Sequence, residues 1–335
     1  TILVSPRPLS NADRETLNHL ERDLHFQLLV APGRRSADPL IEKLLEADSV
    51  SAVADAGKPY GLDTSPPTDD RPFFFQLVAP AAWLHPMFAL RTLHSVRHLE
   101  GGVVAGNVVA MVGMLLMLIA VIAVGAVLLG PTIVRSLRSR TPPLPAGEAW
   151  IYFGALGAGF MIAEIALVQR MHVVLGNPTY SLILVLASLL VATGVGSAIS
   201  SRVIRVRRDV SIAAAIAAFA LALMPRLVIG PLARHTADAS LGVRALWTAG
   251  CAAVIGVLIG MLFPSGLRFT NREQGPPAAL AVNGVTSVLG GGVALIVSIA
   301  FGIPASFLIA AMCYLIAAMT GPRRWPSEID VRANE

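Results

Sequence analysis

Charged residues are scarce in this sequence. Asp, Glu, Lys and Arg together make up 14% of the 335 residues, whereas a soluble domain carries roughly 25%. The deficit is local, because residues 1–100 have an ordinary soluble composition and the rest of the chain is apolar in long blocks. Blocks of about 20 apolar residues are long enough to cross the hydrocarbon core of a bilayer as α-helices. The composition therefore predicts an integral membrane protein.

Cysteine is also scarce. The two cysteines, Cys251 and Cys313, both lie inside apolar blocks, and the sequence contains no CxxC pair and no Cys/His cluster. This excludes the usual redox and zinc motifs. We interpret both cysteines as small core residues and expect no metal site and no bound cofactor in this chain.

Lysine occurs only twice, so the positive charge of the chain comes mainly from arginine. The net charge is +5, but no basic stripe is interleaved with aromatic residues, and we expect no nucleic-acid partner. The arginines instead lie mostly in short loops between apolar blocks, where a basic excess indicates the cytoplasmic side. They are Arg135, Arg138 and Arg140 in the first loop, Arg202, Arg205, Arg207 and Arg208 in the third, Arg268 and Arg272 in the fifth, and Arg323 and Arg324 in the tail.

Seven apolar blocks predict seven crossings of the inner (plasma) membrane and a transmembrane domain over residues 103–320. The even-numbered loops carry fewer arginines, so the odd loops and the tail, residues 321–335, are predicted to be cytoplasmic. Seven crossings place residues 1–100 outside, whereas an eighth crossing at 73–90 returns them to the cytoplasm. The seven predicted crossings are 103–130, 149–168, 180–200, 210–229, 243–264, 278–301 and 304–320.

Residues 1–62 alternate between strand-like and helix-like patterns. TILV (1–4) and FQLLV (26–30) predict strands, Ser10 or Asn11 is suited to cap a first helix, and Asp38 with Pro39 begins a second. A βαβα segment of this size cannot bury a sizeable core alone. We therefore predict the truncated edge of a larger α/β sheet, and a chain that begins partway through a longer protein.

Residues 63–102 are predicted to be a linker followed by an interfacial segment. The apolar stretch 73–90 contains Gln76, His85 and two prolines, which favours a helix in the membrane interface over a re-entrant or crossing segment. His85, His94 and His98 have the spacing of an interface face. Earlier in the linker, Asp69, Asp70 and Arg71 can serve acid/base chemistry or cation binding. Beside two prolines they can equally fix a turn, and we favour the turn.

Glu164 is the sharpest candidate for a functional residue within the apolar blocks. A carboxyl group at membrane depth costs roughly 2.5–3.5 kcal/mol on insertion scales. Gln169 and Arg170 follow it toward the end of the same block. These residues indicate either a proton or cation site or a polar contact that locks two helices together, with a slight preference for the contact.

Three further polar residues lie near the ends of apolar blocks. Asn177 begins the segment NPTY, which predicts a turn, although its amide can also face a cavity near Glu164. Tyr180 is placed as an interfacial anchor. Asn283 lies in a run of small residues, which favours a hydrogen bond between helices over contact with a ligand.

Five segments, in order, resemble one family, the multi-pass bacterial membrane proteins that carry a spermidine synthase-like domain. The resemblance covers nearly the whole chain. The segments are SPPTDDRPFFF (65–75), GFMIAEIALVQR (159–170), LGNPTYSLILVL (175–186), GMLFPSGLR (260–268) and AVNGVTSVLGGGVA (281–294).

The resemblance implies a longer parent with an α/β, Rossmann-like domain of methyltransferase type. That domain would transfer an aminopropyl group from decarboxylated S-adenosylmethionine to a polyamine in the cytoplasm. No glycine-rich cofactor loop or catalytic aspartate set of that kind is present in this sequence, so no catalytic residue is assigned. We expect this chain to supply a membrane anchor or a substrate path beside an upstream synthase-like domain. The alternatives are a transporter-like module, in which Glu164, Asn177 and Asn283 line a route for polyamines or other cations, and a purely structural anchor.

Overall fold

The computed structural model describes residues 5–25, 28–31, 33–36, 38–79, 101–138, 144, 147–236, 238–270 and 275–325. Within these ranges the chain is mainly helical and contains no β-strand. It divides into two compact units. The first comprises Thr1–Pro67 and Phe74–Met111, and the second comprises Thr68–Phe73 and Val112–Glu335.

Three short helices occupy the described part of the first unit: α1 (Asn11–Asp23), α2 (Pro39–Glu46) and α3 (Val50–Ala56). The first two were predicted. Ser10 is the N-cap of α1, and it forms a capping box with Asp13. The Ser10 hydroxyl and backbone N–H donate to the Asp13 carboxylate and lower the pKa of that group. Asp38 caps α2 through the backbone N–H groups of Leu40 and Ile41.

The predicted α/β edge is not found in the described residues. Residues 28–30 form no strand, while 1–4 and 26–27 lie outside the described residues. The backbone N–H of Leu28 donates to the Glu21 carboxylate instead of to a neighbouring strand. A single apolar run has no ladder partner here, and a lone strand is not stable without neighbours. The apolar side chains of Leu20 on α1 and of Leu24, its C-cap, also stay exposed, at 40% and 65%.

Phe74 and Phe75 form a turn in the first unit, and residues 76–79 follow it without helical structure. Val78 forms an isolated bridge with Leu62, and the Leu77 N–H donates to the side chain of Asn107. This is not the start of a helix, contrary to one prediction for 73–90. The rest of that segment, including His85, and the basic stretch with His94 and His98 lie outside the described residues.

Seven helical segments of the described chain are long and apolar enough to cross a membrane, and they fall on the seven predicted blocks. The sequence alone predicts these helices because each one is a long apolar run. The helices are α4 (Gly101–Arg138), α5 (Gly147–Leu175), α6 (Pro178–Val203), α7 (Arg207–Met224) continued through α8 (Gly230–His235), α9 (Leu241–Gly260) with α10 (Leu262–Leu267), α11 (Gly275–Phe301) and α12 (Ile303–Thr320).

Glycine and proline set the boundaries of these helices. Gly302, between α11 and α12, has φ of 88°, a conformation that glycine adopts without steric cost. The break between α9 and α10 follows Gly260, four residues before Pro264. A proline ring clashes with the carbonyl four residues earlier and has no N–H to donate. Gly302 therefore forms a tight turn, and Pro264 interrupts the helix.

Small residues let the helices of the second unit approach closely. A Cβ atom added at Gly157 on α5 would lie 2.3 Å from the backbone oxygen of Asn283 on α11. One added at Gly196 on α6 would lie 2.3 Å from the oxygen of Val257 on α9, and Gly260 meets Thr193 in the same way. These backbone approaches are the membrane-helix packing that small residues permit.

The order of the contacts defines two ends of the second unit. Phe153 and Gly157 of α5 meet Asn283 and Ser287 of α11, respectively, so the two helices run in parallel. The end where α5 finishes therefore contains the α11–α12 turn, and we call it the Gly302 end. At the opposite end, which we call the Trp325 end, Arg207 at the start of α7 donates to the carbonyl of Trp325.

Helix α4 runs against α11. Leu118 of α4 packs on Gly292 of α11, and Gly125 of α4 packs on Val285 of α11. Residue numbers therefore fall along α11 as they rise along α4, and the two helices are antiparallel. Within the second unit α4 therefore starts toward the Gly302 end. An antiparallel pair of this kind is what an odd-numbered and an even-numbered crossing produce.

Candidate functional site

Polar side chains follow the contact between α5 and α11. The Asn283 amide donates to the Phe153 carbonyl at 3.3 Å, and the Ser287 hydroxyl donates to the Gly157 carbonyl at 3.2 Å. Both bonds join the two helices, so the interpretation of Asn283 as an interhelical contact is confirmed. Such bonds satisfy polar groups that lipid cannot.

A second polar group lies farther along the same contact, toward the Gly302 end. The Ser298 hydroxyl donates to the Gln169 side-chain oxygen at 2.6 Å and lies 2.8 Å from the Ser306 hydroxyl. Ser306 also donates to the Ala294 carbonyl. Ser298 and Ser306 have no exposed surface. This group therefore ties α5, α11 and α12 together at a buried point.

Arg170 is the buried cation of the site. Only 9% of the residue is exposed, and its terminal nitrogen donates to the Asp70 carboxylate at 2.7 Å and to the Asp69 carbonyl at 2.8 Å. Its Nε atom is buried and has no hydrogen-bond partner within the described residues. The guanidinium is therefore neutralised from one side, by a segment that precedes it by 100 residues.

The segment around Asp70 forms the predicted turn. Thr68 and Arg71 exchange two backbone hydrogen bonds, and the Ile303 N–H donates to the Asp70 carbonyl at 2.8 Å. The Arg71 side chain donates to the Ile299 carbonyl. The turn is thus seated on the Gly302 end, and the Asp70 carboxylate bonds to Arg170 rather than to nearby backbone.

Glu164 differs from the polar residues around it. Its residue is partly buried on α5, and no hydrogen bond or ion pair reaches it from the part of the chain that the structure describes. Its neighbours Met161 and Ile165 pack against Gly291, which places Glu164 beside the glycine-rich stretch of α11. Its carboxyl oxygens are therefore free to take up a proton or to bind a cation.

Asn177 and Tyr180 are not part of this group. The Asn177 side chain accepts hydrogen bonds from the backbone N–H groups of Thr179 and Tyr180, which makes it the N-cap of α6. Leu175, where α5 ends, is about 16 Å along the helix axis from Glu164, at 1.5 Å per residue. Tyr180 is 54% exposed. The proposed proximity of Asn177 to Glu164 is therefore wrong.

Ser298 and Ser306 were not predicted as site residues. They lie four residues on either side of Gly302, and a tight helical hairpin at that glycine brings such positions together. This spacing becomes a usable signal once the turn at Gly302 is known. An isolated serine in an apolar block is otherwise unremarkable, since its hydroxyl can bond to its own helix.

The described residues contain no group of three His, Cys, Asp or Glu side chains that could hold a metal ion. What they do contain is a seven-helix apolar unit with a partly buried carboxyl group and a buried, ion-paired arginine. Comparison of the chain with family models, with curated proteins and with solved structures found no match.

Proposed function

We propose that this chain is the membrane-embedded part of a spermidine synthase-like protein, and that its helical unit provides a path for a polyamine or another small cation. The observation that carries the proposal is the position of Glu164. It is a carboxyl group near the middle of a long apolar helix, without a partner in the described residues, while Asn283, Gln169 and Arg170 are all hydrogen-bonded.

The energetic argument rests on the cost of that carboxyl group. An unpaired charge at membrane depth is unfavourable, and ionisable residues at such positions usually face a cavity or a transported ion. A polyamine carries several ammonium groups that can bond to a carboxylate. Glu164 therefore supports a cation path more strongly than it supports a purely structural anchor, for which a neutral side chain would serve.

The orientation bears on the enzymatic reading. The arginine-rich loops lie at the Trp325 end, and the positive-inside rule supports a cytoplasmic location for that end and for the C-terminus in the inner membrane. Asp70 is seated at the Gly302 end, which is then outside. This sequence contains no glycine-rich cofactor loop or catalytic aspartate set for an aminopropyl transfer, so the cation path is the role that its own residues support. We therefore place the aminopropyl transfer, with its decarboxylated S-adenosylmethionine, outside the role of this chain.

The variant Glu164→Gln tests the path. We expect the initial rate of radiolabelled spermidine flux into proteoliposomes to fall about tenfold or more, because a charge-assisted hydrogen bond contributes roughly 1.5–3 kcal/mol. Glu148→Gln is the matched control. It changes the same functional group on the same helix, in the first turn of α5, and we expect it to leave the flux unchanged.

Two results would contradict this proposal. Equal flux through wild-type protein and Glu164→Gln argues against a role for the carboxylate. Flux through wild-type protein no greater than through protein-free vesicles removes the path and leaves the structural anchor. The synthase-like part has a separate test in the coding sequence upstream of Thr1, where a strand, a glycine-rich turn and an acidic residue would support it. An upstream apolar bundle with no α/β core would remove it.

A further inference from the structure

Exposed arginines cluster at the Trp325 end of the second unit. They come from three places that are distant in sequence: the segment from the end of α6 to the first turn of α7, the residue after α10, and the turn after α12. Asp209 lies among them, but its carboxylate accepts hydrogen bonds from the backbone N–H groups of Arg205 and Val206 and so caps α7. The exposed arginines, which we call the basic corner, are Arg202, Arg205, Arg208, Arg268, Arg323 and Arg324.

Hydrogen bonds hold these three places together. The Arg207 side chain donates to the carbonyls of Pro322 and Trp325, at 3.3 and 2.7 Å, and so joins the α6–α7 loop to the turn after α12. The Arg268 side chain donates to the Ser200 carbonyl near the end of α6. The guanidinium groups of the basic corner are therefore carried on a fixed framework.

A buried aromatic residue fixes the end of the chain beside the basic corner. Trp325 is only 3% exposed, and its ring packs edge-on against Tyr152 with the centroids 5.6 Å apart. Its indole N–H donates to the Thr320 carbonyl. Arg323 and Arg324, which precede Trp325, are therefore exposed to solvent at a fixed position directly after the last turn of α12.

This position is at the level of the lipid headgroups if the seven helices cross a bilayer. Helices α6 and α12 each span a hydrocarbon core, and the basic corner begins within a few residues of their ends. Arginines at such positions attract the negative surface of a leaflet that contains anionic lipids. Phosphodiester groups are also good acceptors for the planar guanidinium fork.

We propose that the basic corner binds the headgroups of anionic phospholipids. The inference rests on the membrane insertion in the proposed function, but it does not depend on the cation path at Glu164. Its partner is identified by chemistry and position: a phosphate at the membrane surface, opposite exposed arginines whose framework is set by Arg207 and Trp325. An acidic protein or a free anion could also bind these arginines, but only a lipid headgroup is held by the bilayer at the level of the helix ends.

Native mass spectrometry of the detergent-solubilised chain tests this proposal. The probes are phosphatidylglycerol and phosphatidylcholine with the same acyl chains. We expect phosphatidylglycerol to bind more tightly than phosphatidylcholine. In Arg323→Gln/Arg324→Gln we expect the affinity for phosphatidylglycerol to fall about 25-fold, because each arginine near an anionic surface raises the affinity roughly fivefold. The matched control is Arg226→Gln/Arg234→Gln, which removes two exposed arginines from the region between α7 and α9, and it should keep the preference.

The outcomes separate the possible sources of the anion. Loss only in the basic-corner variant supports the proposal, whereas equal binding of the two lipids or equal loss in both variants overturns it. Competition by millimolar inorganic phosphate that abolishes the preference would assign the site to a free anion and would also overturn it. Spermidine flux measured on the same preparations shows whether the cation path stands or falls separately.

Discussion

Replacing Gly196 by alanine is expected to destabilise the helical unit, whereas the same change at Gly194, two residues away, is expected to stabilise it. A Cβ atom at Gly196 would lie 2.3 Å from the backbone oxygen of Val257, so α6 and α9 must separate. Overpacking of this kind costs about 2 kcal/mol. At Gly194 no atom lies within 4 Å of the added Cβ, and the helix gains roughly 0.5–1 kcal/mol from the better helix former.

The opposite signs make this comparison informative. Both variants add one methyl group to the same helix, so a general effect on insertion or expression changes them equally. Unfolding by sodium dodecyl sulfate in mixed micelles gives the free energy of unfolding for each. If Gly196→Ala and Gly194→Ala shift it in the same direction, the close contact between α6 and α9 is wrong.

Removing Asp70 is expected to cost more stability than removing its partner Arg170. Asp70→Ala leaves a guanidinium buried without its counter-ion, which costs about 3 kcal/mol. Arg170→Met leaves behind a carboxylate whose side chain is 61% exposed, and water can solvate it. The second change therefore costs only about 1–2 kcal/mol for its lost hydrogen bonds.

A double-mutant cycle completes this prediction. Asp70→Ala/Arg170→Met should be nearly as stable as Arg170→Met alone, because the buried charge that Asp70 neutralises is then absent. Lys58→Met is the control. It breaks an exposed ion pair with Asp55 and should change stability by less than about 1 kcal/mol. An Asp70→Ala variant as stable as Arg170→Met would contradict the buried role of Arg170.

The membrane part of the fold could be predicted from the sequence because its signals are local. Each crossing is a long apolar run, and each boundary has its own glycine, proline or cap, as at Gly302, Pro264 and Asn177. The strand prediction over 28–30 failed for the same reason, since a strand is defined by its partner. An apolar run such as 28–30 has no ladder of its own, and Leu28 bonds instead to Glu21.

The candidate site was predictable only as a set of residues. Asp70 and Arg170 each stood out, but nothing in the sequence joins two residues that are 100 positions apart. Their pairing depends on the turn at Gly302, because the Ile303 N–H donates to the Asp70 carbonyl and holds Asp70 at that end. Asn177 was predicted to lie near Glu164 because of its amide group, but the length of α5 separates the two residues. Tertiary contacts of this kind need the packed helices before they can be seen.

Cysteine accessibility shows directly whether the bundle has an odd number of crossings. Single cysteines at the exposed positions Thr68 and Arg324, in a background without Cys251 and Cys313, are treated with a membrane-impermeant maleimide in bacterial cells. We predict that Thr68→Cys reacts in intact cells and that Arg324→Cys reacts only after the membrane is opened. A bundle with an odd number of crossings is contradicted if both cysteines react from the same side, and membrane insertion is contradicted if carbonate washing releases the chain from the membrane.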